Sequence, residues 1–151
     1  MVQPMIDVNP EKLTDTAAFR LGVLGAIAAD RFADRVVAYD VKPKHAGLLA
    51  LLAAGAAGSQ QEIARAMGIV PSLVVSLADH LEHLGAVGRE RDPDDRRRQV
   101  LTLTERGRAL LADCTAAAQA IDAELTAGLD AATIAAMHAA LAALAGRAGL
   151  A

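Results

Sequence analysis

Arginine is concentrated in one short segment of this sequence, RERDPDDRRRQVLTLTERGR at residues 89–108. The segment holds seven of the chain's 15 lysines and arginines, although the whole chain has a formal charge of −3. Guanidinium groups bind phosphates through paired hydrogen bonds and enter narrow minor grooves, so such a cluster suits DNA. The alternative is a solvated turn in which the charges neutralise each other. The candidate pairs join Arg89 or Arg98 to Asp92, Asp94 or Asp95.

Two extended runs flank the charged centre of this segment, at residues 86–91 and 99–104. Both contain β-branched and apolar residues typical of short strands. Between them, Asp92 can accept hydrogen bonds from the backbone ahead of it and Pro93 fixes φ, which is typical of a turn. The sequence therefore predicts a β-hairpin with a charged tip.

Two short helices are predicted immediately before the hairpin. Ser59 and Glu62 form the pattern of a capping box, in which each side chain bonds to the backbone of the other residue. Gly68 suits the positive φ that ends a helix, and Pro71 suits the first turn of the next one, predicted over residues 72–84. The pair is typical of a helix-turn-helix, and a hairpin directly after it lies where a wing would flank DNA. On its own, the helix pair is also typical of any helical bundle.

Longer amphipathic helices are predicted on both sides of this region. Aromatic residues make up only 2% of the sequence, and alanine and leucine dominate it, which favours helices over strands. Apolar residues recur every three or four positions in three stripes. The stripes are Phe19, Val23, Ile27 and Phe32; Leu110 or Leu111, Cys114, Ala117 or Ala118, Ile121 and Leu125; and, after Asp130, Ile134, Met137, Leu141 and Leu144. A chain of 151 residues has little left to cover these stripes, which favours a dimer.

These elements predict a single, mostly α-helical chain over residues 1–151 with a small β-hairpin wing. Residues 43–104 are expected to form a winged helix-turn-helix that binds DNA. Residues 11–40 and 105–151 are expected to form a helical dimerisation lobe. The alternative function is a helical dimer that binds a ligand or a protein without recognising an operator, which the acidic net charge would also suit.

Four segments, in this order and spacing, resemble the multiple-antibiotic-resistance regulator (MarR) family. They are IARAMG at 63–68, LADHLEHLGAVGR at 77–89, DPDDRR at 92–97 and LTERG at 103–107. The similarity covers about residues 59–110, and the predicted outer helices match the family's dimerisation lobe. The resemblance implies a homodimeric winged helix-turn-helix transcription regulator, usually a repressor of a pseudo-palindromic operator in double-stranded DNA. Members are often released from DNA by a small phenolic or otherwise amphipathic ligand, or by an oxidant.

The resemblance also carries over to individual residues. It implies that Asp95 and Arg97 shape the wing and that wing arginines enter the minor groove. The implied wing residues are Arg89, Arg91, Asp95, Arg96, Arg97 and Arg98. The second helix of the helix-turn-helix, over residues 72–84, is the implied recognition helix. There, Leu73 and Val75 depart from the polar residues of many relatives, so they offer apolar contacts in place of hydrogen bonds. The candidate recognition residues are Ser72, Leu73, Val75, Ser76 and His80, and capping or solvation is the alternative role of the polar ones.

Arg20 and His45 are the candidates for an effector pocket. The first two long helices and the helix that follows Thr104 are expected to leave a mainly apolar cavity beside the helix-turn-helix. A cation and an imidazole in such a cleft suit a small organic anion, either a carboxylate or a phenolate. The alternative is that Arg20 forms an ion pair between subunits and that His45 caps a helix.

No catalytic, metal or cofactor chemistry is expected. His80 and His83 lie one helical turn apart, but no third ligand completes a metal site, and no motif for a cofactor or an enzyme is present. Cys114 is expected to be part of the core, and the alternative is a redox thiolate activated by Arg106 or Arg108. The N-terminal residues lack a signal-peptide pattern and no apolar run is long enough to cross a membrane, which predicts a cytoplasmic protein with no membrane partner.

Overall fold

A computed structural model describes residues 10–55 and 58–149 of the chain. Its helices are α1 (Pro10–Leu13), α2 (Ala17–Val36), the 3-10 turn η1 (Val37–Tyr39), α3 (Pro43–Ala53), α4 (Gln60–Met67), α5 (Pro71–His83), α6 (Glu105–Leu125) and α7 (Ala131–Arg147). Its strands are β1 (Val87–Arg91) and β2 (Gln99–Leu103), which form an antiparallel hairpin. The predicted fold class, a mostly α-helical chain with a small β-hairpin, is confirmed.

The chain divides into two compact units, one ending at Ala117 and the other beginning at Ala118. The first unit contains every element up to the hairpin and the first half of α6. The second contains the remainder of α6 and all of α7. The division falls inside α6, whereas the sequence assigned all of residues 105–151, together with residues 11–40, to the dimerisation lobe.

The helix-turn-helix consists of α4 and α5, and its boundaries follow from local chemistry. The Ser59 hydroxyl accepts a hydrogen bond from the Glu62 amide at 3.3 Å, and the Glu62 carboxylate accepts one from the Ser59 amide at 3.0 Å. The hydrogen bond from the Ser59 amide is the main reason why the pKa of Glu62 is lowered to about 2, because it favours the ionised carboxylate. Gly68 ends α4 with a φ of 63°, and Pro71 occupies the first turn of α5. The predicted capping box and tight turn are both present.

A single apolar core holds α3, α4, α5 and the hairpin together in the first unit. The largest side chains that are fully buried there are Leu48 and Leu49 of α3, Ile63 of α4, and Val74 and Leu81 of α5, together with Val36 and Cys114. Their removal from water is the main stabilising contribution to this unit. The core fixes which side of α5 faces inward, and therefore which side chains that helix presents to solvent.

A short β-bridge attaches the hairpin to the start of α4, and the sequence did not predict it. Ser59 pairs with Val100 of β2, and the Leu101 amide donates a hydrogen bond to the Gly58 carbonyl at 2.8 Å. The residues around Gly58 have no strand-like pattern, so the sequence carried no signal for this pairing. The bridge connects the hairpin to the same residues that cap α4.

Several apolar side chains outside this core are exposed in the single chain. On α2 they are Phe19, Leu21, Val23, Leu24 and Ile27. In the second unit, Asp130 caps the start of α7, and its carboxylate accepts a hydrogen bond from the Thr133 amide at 2.8 Å. Leu141 and Leu144 of α7 are 40% and 46% exposed, and no residue of this helix is buried.

The described helices differ in length or composition from a membrane-spanning helix. None of them is by itself long and apolar enough to cross a membrane. The bent pair formed by α4 and α5 meets the criteria of length and composition when the two are taken together.

Candidate nucleic-acid interface

The tip of the hairpin is held in shape by two aspartates. The Asp92 carboxylate accepts hydrogen bonds from the amides of Asp94 at 2.9 Å and Asp95 at 3.4 Å. The Asp95 carboxylate accepts one from the Arg97 amide at 3.0 Å. The turn that the sequence predicted from Asp92 is therefore present, and Asp95 uses its side chain to shape the backbone that carries the arginines.

Three arginines of the wing are available for an external partner. Arg91 lies at the end of β1, and Arg96 and Arg97 lie in the turn; all three are exposed. Within residues 10–55 and 58–149, none of the three side chains forms an ion pair. Their guanidinium groups are therefore exposed positive charges, although the same turn also carries the carboxylates of Asp92, Asp94 and Asp95.

Arg89 of β1 forms ion pairs within the protein. Its two terminal nitrogens form ion pairs with Asp79 and Glu82 of α5. The hydrogen bond to Asp79 is the main reason why the pKa of Arg89 is raised, so the side chain stays charged. The sequence grouped Arg89 with the DNA-contacting arginines, but the structure uses it to join β1 to the recognition helix.

Arg98 is partly paired within the protein and partly exposed. Its guanidinium group lies 3.5 Å from the Glu62 carboxylate and 4.0 Å from that of Asp92. One of the pairs considered from the sequence, Arg98 with Asp92, is therefore present, but the closer partner is the residue that caps α4. Arg98 is half-exposed and partly neutralised, so it contributes less positive charge than Arg96 and Arg97.

The predicted recognition residues of α5 fall into two groups. Ser72, Val75 and Ser76 are exposed and share the outer side of the helix. Leu73 is partly buried and packs against the core. His80 is also partly buried, and its Nε2 donates a hydrogen bond to the Asp40 carbonyl at 2.6 Å. The structure therefore presents the first three side chains to a partner and uses the other two inside the protein.

A polar cleft of about 680 Å³ separates the wing from the start of α4. Its lining consists of Ser59, Gln60, Gln61, Glu62, Arg65, Arg97, Arg98 and Gln99. Gln60, Gln61 and Arg65 were not predicted as site residues. For Gln60 and Gln61, the position directly after the Ser59 cap was the available signal, because donors in the first turn of a helix reinforce its preference for anions; Arg65 lies in the last turn of α4. The cleft offers several hydrogen-bond donors to a phosphate backbone.

A second cavity, of about 300 Å³, lies where η1 and α3 meet the recognition helix. It is lined by Val37, Asp40, Val41, Lys42, His45, Ser76 and His80. His45 is buried, and its Nδ1 accepts a hydrogen bond from the Lys42 amide at 2.9 Å. Its ring centroid lies 4.7 Å from that of His80. Burial lowers the pKa of His45, and the nearby His80 and Lys42 lower it further.

The structure does not bring Arg20 and His45 together. Arg20 is exposed, bonds to the Asp15 carboxylate at 2.6 Å and donates to the Thr14 carbonyl at 3.1 Å. It is not among the residues that line the cavity of His45. His45 caps the start of α3, which is the alternative role that the sequence suggested for it. The ion pair of Arg20 lies within the chain, because the residues just before α2 supply both of its acceptors.

Cys114 is 2% exposed, in the core. Burial is the main reason why the pKa of its thiol is raised, and the charge of Asp113 adds to the effect. The alternative of a thiolate activated by Arg106 or Arg108 is therefore not supported, since a raised pKa keeps the thiol protonated and unreactive.

The possible metal ligands on α5 are used in other ways. Asp79 and Glu82 pair with Arg89, and His80 bonds to the backbone. Among the residues that the structure describes, no group of three or more His, Cys, Asp or Glu side chains is placed to hold a metal ion.

Comparison with known proteins places this geometry in a family. The sequence profile of the MarR family matches residues 39–98. The solved structure of CouR from Rhodococcus jostii RHA1 bound to p-coumaroyl-CoA is 30% identical, with a TM-score of 0.71, and the alignment covers 88% of this chain and 94% of that one. The chain belongs to the MarR family.

Two further solved structures agree with this membership of the MarR family. A MarR-family transcriptional regulator from Rhodococcus sp. RHA1 is 29% identical, with a TM-score of 0.74, over 88% of this chain and 96% of that one. The transcriptional repressor CouR bound to a 23-mer DNA duplex is 29% identical, with a TM-score of 0.75, over 92% of this chain and 99% of that one. A search of curated proteins found no match. The MarR family consists of transcription regulators, which confirms the prediction of a regulator rather than an enzyme.

Proposed function

We propose that this MarR-family regulator is a homodimeric repressor that binds an inverted-repeat operator in double-stranded DNA and responds to a ligand. The observation that carries the proposal is the wing, where Arg91, Arg96 and Arg97 are exposed and unpaired at a tip that Asp92 and Asp95 hold in shape. A relative, the repressor CouR, has been solved on a DNA duplex.

Three surfaces of the first unit would share the contacts with DNA. The exposed side of α5, with Ser72, Val75 and Ser76, fits the major groove, where recognition helices read base edges. The wing arginines fit the adjacent minor groove, whose narrow regions attract guanidinium groups. The cleft between α4 and the wing supplies donors for the phosphate backbone, which fix the register without reading sequence.

The exposed apolar residues of α2 and α7 support the homodimer. Such side chains stabilise a protein only when a partner covers them. A twofold dimer would present two copies of α5 and two wings, and would therefore read two inverted half-sites. Their centres are expected about one helical turn, or roughly 10 base pairs, apart.

Binding of the full-length protein to duplexes selected from genomic DNA tests this proposal. The affinity should fall steeply with salt, because each arginine that neutralises a phosphate contributes about 0.9 to the slope of log affinity against log salt concentration. With three unpaired arginines on each wing, we expect a slope steeper than about −3 for the dimer. Fluorescence anisotropy over a salt series measures it. Weak binding that does not depend on salt would instead support a ligand-binding or protein-interaction dimer without operator recognition.

The cavity at His45 is the proposed site of the effector, a small organic anion or phenol. Lys42 supplies a positive charge that favours an anion, and the neutral imidazole of His45 can donate a hydrogen bond through Nε2, while the Asp40 carboxylate lines the same cavity. Ser76 and His80 of the recognition helix line the same cavity, so an occupant would act directly on the element that reads DNA. The relative CouR binds p-coumaroyl-CoA, which carries an aromatic acyl group. Arg20 lies outside this cavity, so we assign it no contact with the effector.

Thermal shift and DNA release with a panel of aromatic carboxylates test the effector site. An effective compound should raise Tm and release DNA. His45→Gln should abolish both responses, because Gln removes the imidazole while its side-chain oxygen can still accept from the Lys42 amide. Arg20→Ala is the control and should respond like the unaltered protein. Release of the His45→Gln variant at an unchanged ligand concentration would contradict the proposed site.

A further inference from the structure

The exposed side of the recognition helix has an unusual chemical composition. The whole of α5, PSLVVSLADHLEH, contains no Arg, Lys, Asn or Gln. These are the side chains that read guanine and adenine through paired hydrogen bonds in the major groove. Any sequence preference of this helix must therefore arise from a different kind of contact.

Asp79, Glu82 and His80 of α5 have partners within the protein, and the remaining imidazole, His83, is exposed at the C-terminal end of the helix. Asp79 and Glu82 form ion pairs with Arg89, and His80 donates to the Asp40 carbonyl. Asp79 and Glu82 lie in the second half of the helix, away from the N-terminal turns that enter the groove in a helix-turn-helix. The exposed side chains of the first two turns are Pro71, Ser72, Val75 and Ser76, and none of them carries a charge.

Among the branched aliphatic side chains of α5, only Val75 is exposed. Val74, Leu77, Ala78 and Leu81 are buried, and Leu73 is partly buried against the core. An exposed isopropyl group in the reading position of a recognition helix can contact only one apolar feature of the major groove, the C5 methyl group of thymine. Ser72 and Ser76 flank it with hydroxyl groups, which accept or donate hydrogen bonds and so discriminate little between bases.

We propose that Val75 reads a thymine methyl group in each operator half-site and that this contact is the main source of base discrimination by α5. The inference rests on the DNA binding proposed above. The requirement is for the methyl group rather than for the thymine base. A 5-methylcytosine at the same position would present the same group and would therefore be preferred over cytosine.

The test uses the duplex that the full-length protein selects, with each thymine of a half-site replaced in turn by uracil. Uracil lacks only the methyl group. Removing a buried methyl group should weaken binding about fourfold at the position that Val75 contacts, and about 16-fold when both half-sites are changed. Thymines elsewhere should tolerate the change. Anisotropy at one fixed salt concentration measures each Kd.

Two variants separate the methyl contact from its neighbours. In Val75→Ala, the thymine and uracil duplexes should bind equally, and the advantage of 5-methylcytosine over cytosine should disappear. In Ser72→Ala, on the same side of the helix, the fourfold preference for thymine should remain. Because Val75 is exposed, Val75→Ala should keep the unaltered Tm, which confirms its fold.

Three results would overturn the inference. If the unaltered protein binds its duplex with the expected salt dependence but tolerates uracil at every position, the methyl contact is absent while the DNA-binding function stands. If Val75→Ala suffers the same penalty from uracil as the unaltered protein, another residue reads the methyl group. If no duplex is bound in a salt-dependent manner, the proposed function itself fails and the inference fails with it.

Discussion

Replacing Arg96 and Arg97 with alanine is expected to weaken binding of the dimer to every duplex by about 10,000-fold at low salt. Each lost charge-assisted contact removes roughly 1.5 kcal/mol, and two are lost on each wing. The slope of log affinity against log salt concentration should become less steep by about one unit for each phosphate contact that is lost. The loss should be similar for selected and unselected sequences, because wing contacts with the backbone position the protein without reading bases. Anisotropy titrations at several salt concentrations measure both effects.

The control for this experiment is a pair of arginines outside the wing. Arg108→Ala with Arg147→Ala removes the same total charge, so it tests whether net charge alone explains the loss. We expect that variant to keep most of the salt slope. A folded Arg96→Ala, Arg97→Ala protein with an unchanged slope would exclude the wing from DNA binding.

Arg98→Ala, made alone, should change the salt slope less than Arg96→Ala or Arg97→Ala. Its charge is partly neutralised by Glu62, 3.5 Å away, and by Asp92. Its loss instead removes a link between the wing and the capped end of α4. A triple replacement of Arg96, Arg97 and Arg98 should therefore combine the loss of charge with a change in the position of the wing.

The features that sequence predicted well depend on neighbouring residues. Ser59 and Glu62 are three positions apart, and Asp92 bonds to amides two and three positions ahead. Such contacts form in almost any chain with those residues at that spacing, so they can be read before the fold is known. The apolar periodicity likewise predicted the helices, because apolar side chains three or four positions apart share one side of a helix, whether that side packs against the core or is exposed in the single chain.

The features that sequence missed depend on residues far apart in the chain. Arg89 contacts Asp79, ten positions away, only because β1 packs beside α5. His80 bonds to the backbone of Asp40, 40 positions away, because α5 crosses the end of η1. Since many acidic and polar groups were available in the sequence, only the packing decides which partner is reached. The candidate DNA surface is therefore smaller than the sequence suggested.

These long-range contacts also connect parts of the candidate interface. Arg89 joins the recognition helix to the first strand of the wing, and the bridge at Ser59 joins the second strand to α4. The cavity of His45 also contacts the recognition helix, because Ser76 and His80 of α5 line it. A ligand in this cavity would release DNA only if it bound one arrangement of α5 more tightly than another. A ligand shifts the equilibrium between two conformations only by the difference in its affinity for them.

Replacing Leu141 and Leu144 with glutamate is expected to convert the proposed dimer into a monomer. Both side chains are roughly half-exposed in the single chain, so a partner could bury about another 1 kcal/mol of apolar surface at each. Twofold symmetry places four such leucines in the interface, which corresponds to about a thousandfold in the dimer Kd. Burying glutamates without partners would weaken the dimer further. Sedimentation equilibrium measures the change.

Loss of the dimer should also reduce operator binding, because a monomer can hold only one of the two half-sites. Deleting residues 130–151 should have the same two effects. Helical spacing places Ala139 and Ala143 on the side of α7 opposite the two leucines, so Ala139→Glu with Ala143→Glu is the matched control and should leave a dimer that binds DNA. A Leu141→Glu, Leu144→Glu protein that still sediments as a dimer would place the interface elsewhere in the chain. If that variant were monomeric but bound the full operator with unaltered affinity, the inverted-repeat arrangement would be wrong even though α7 holds the two copies together.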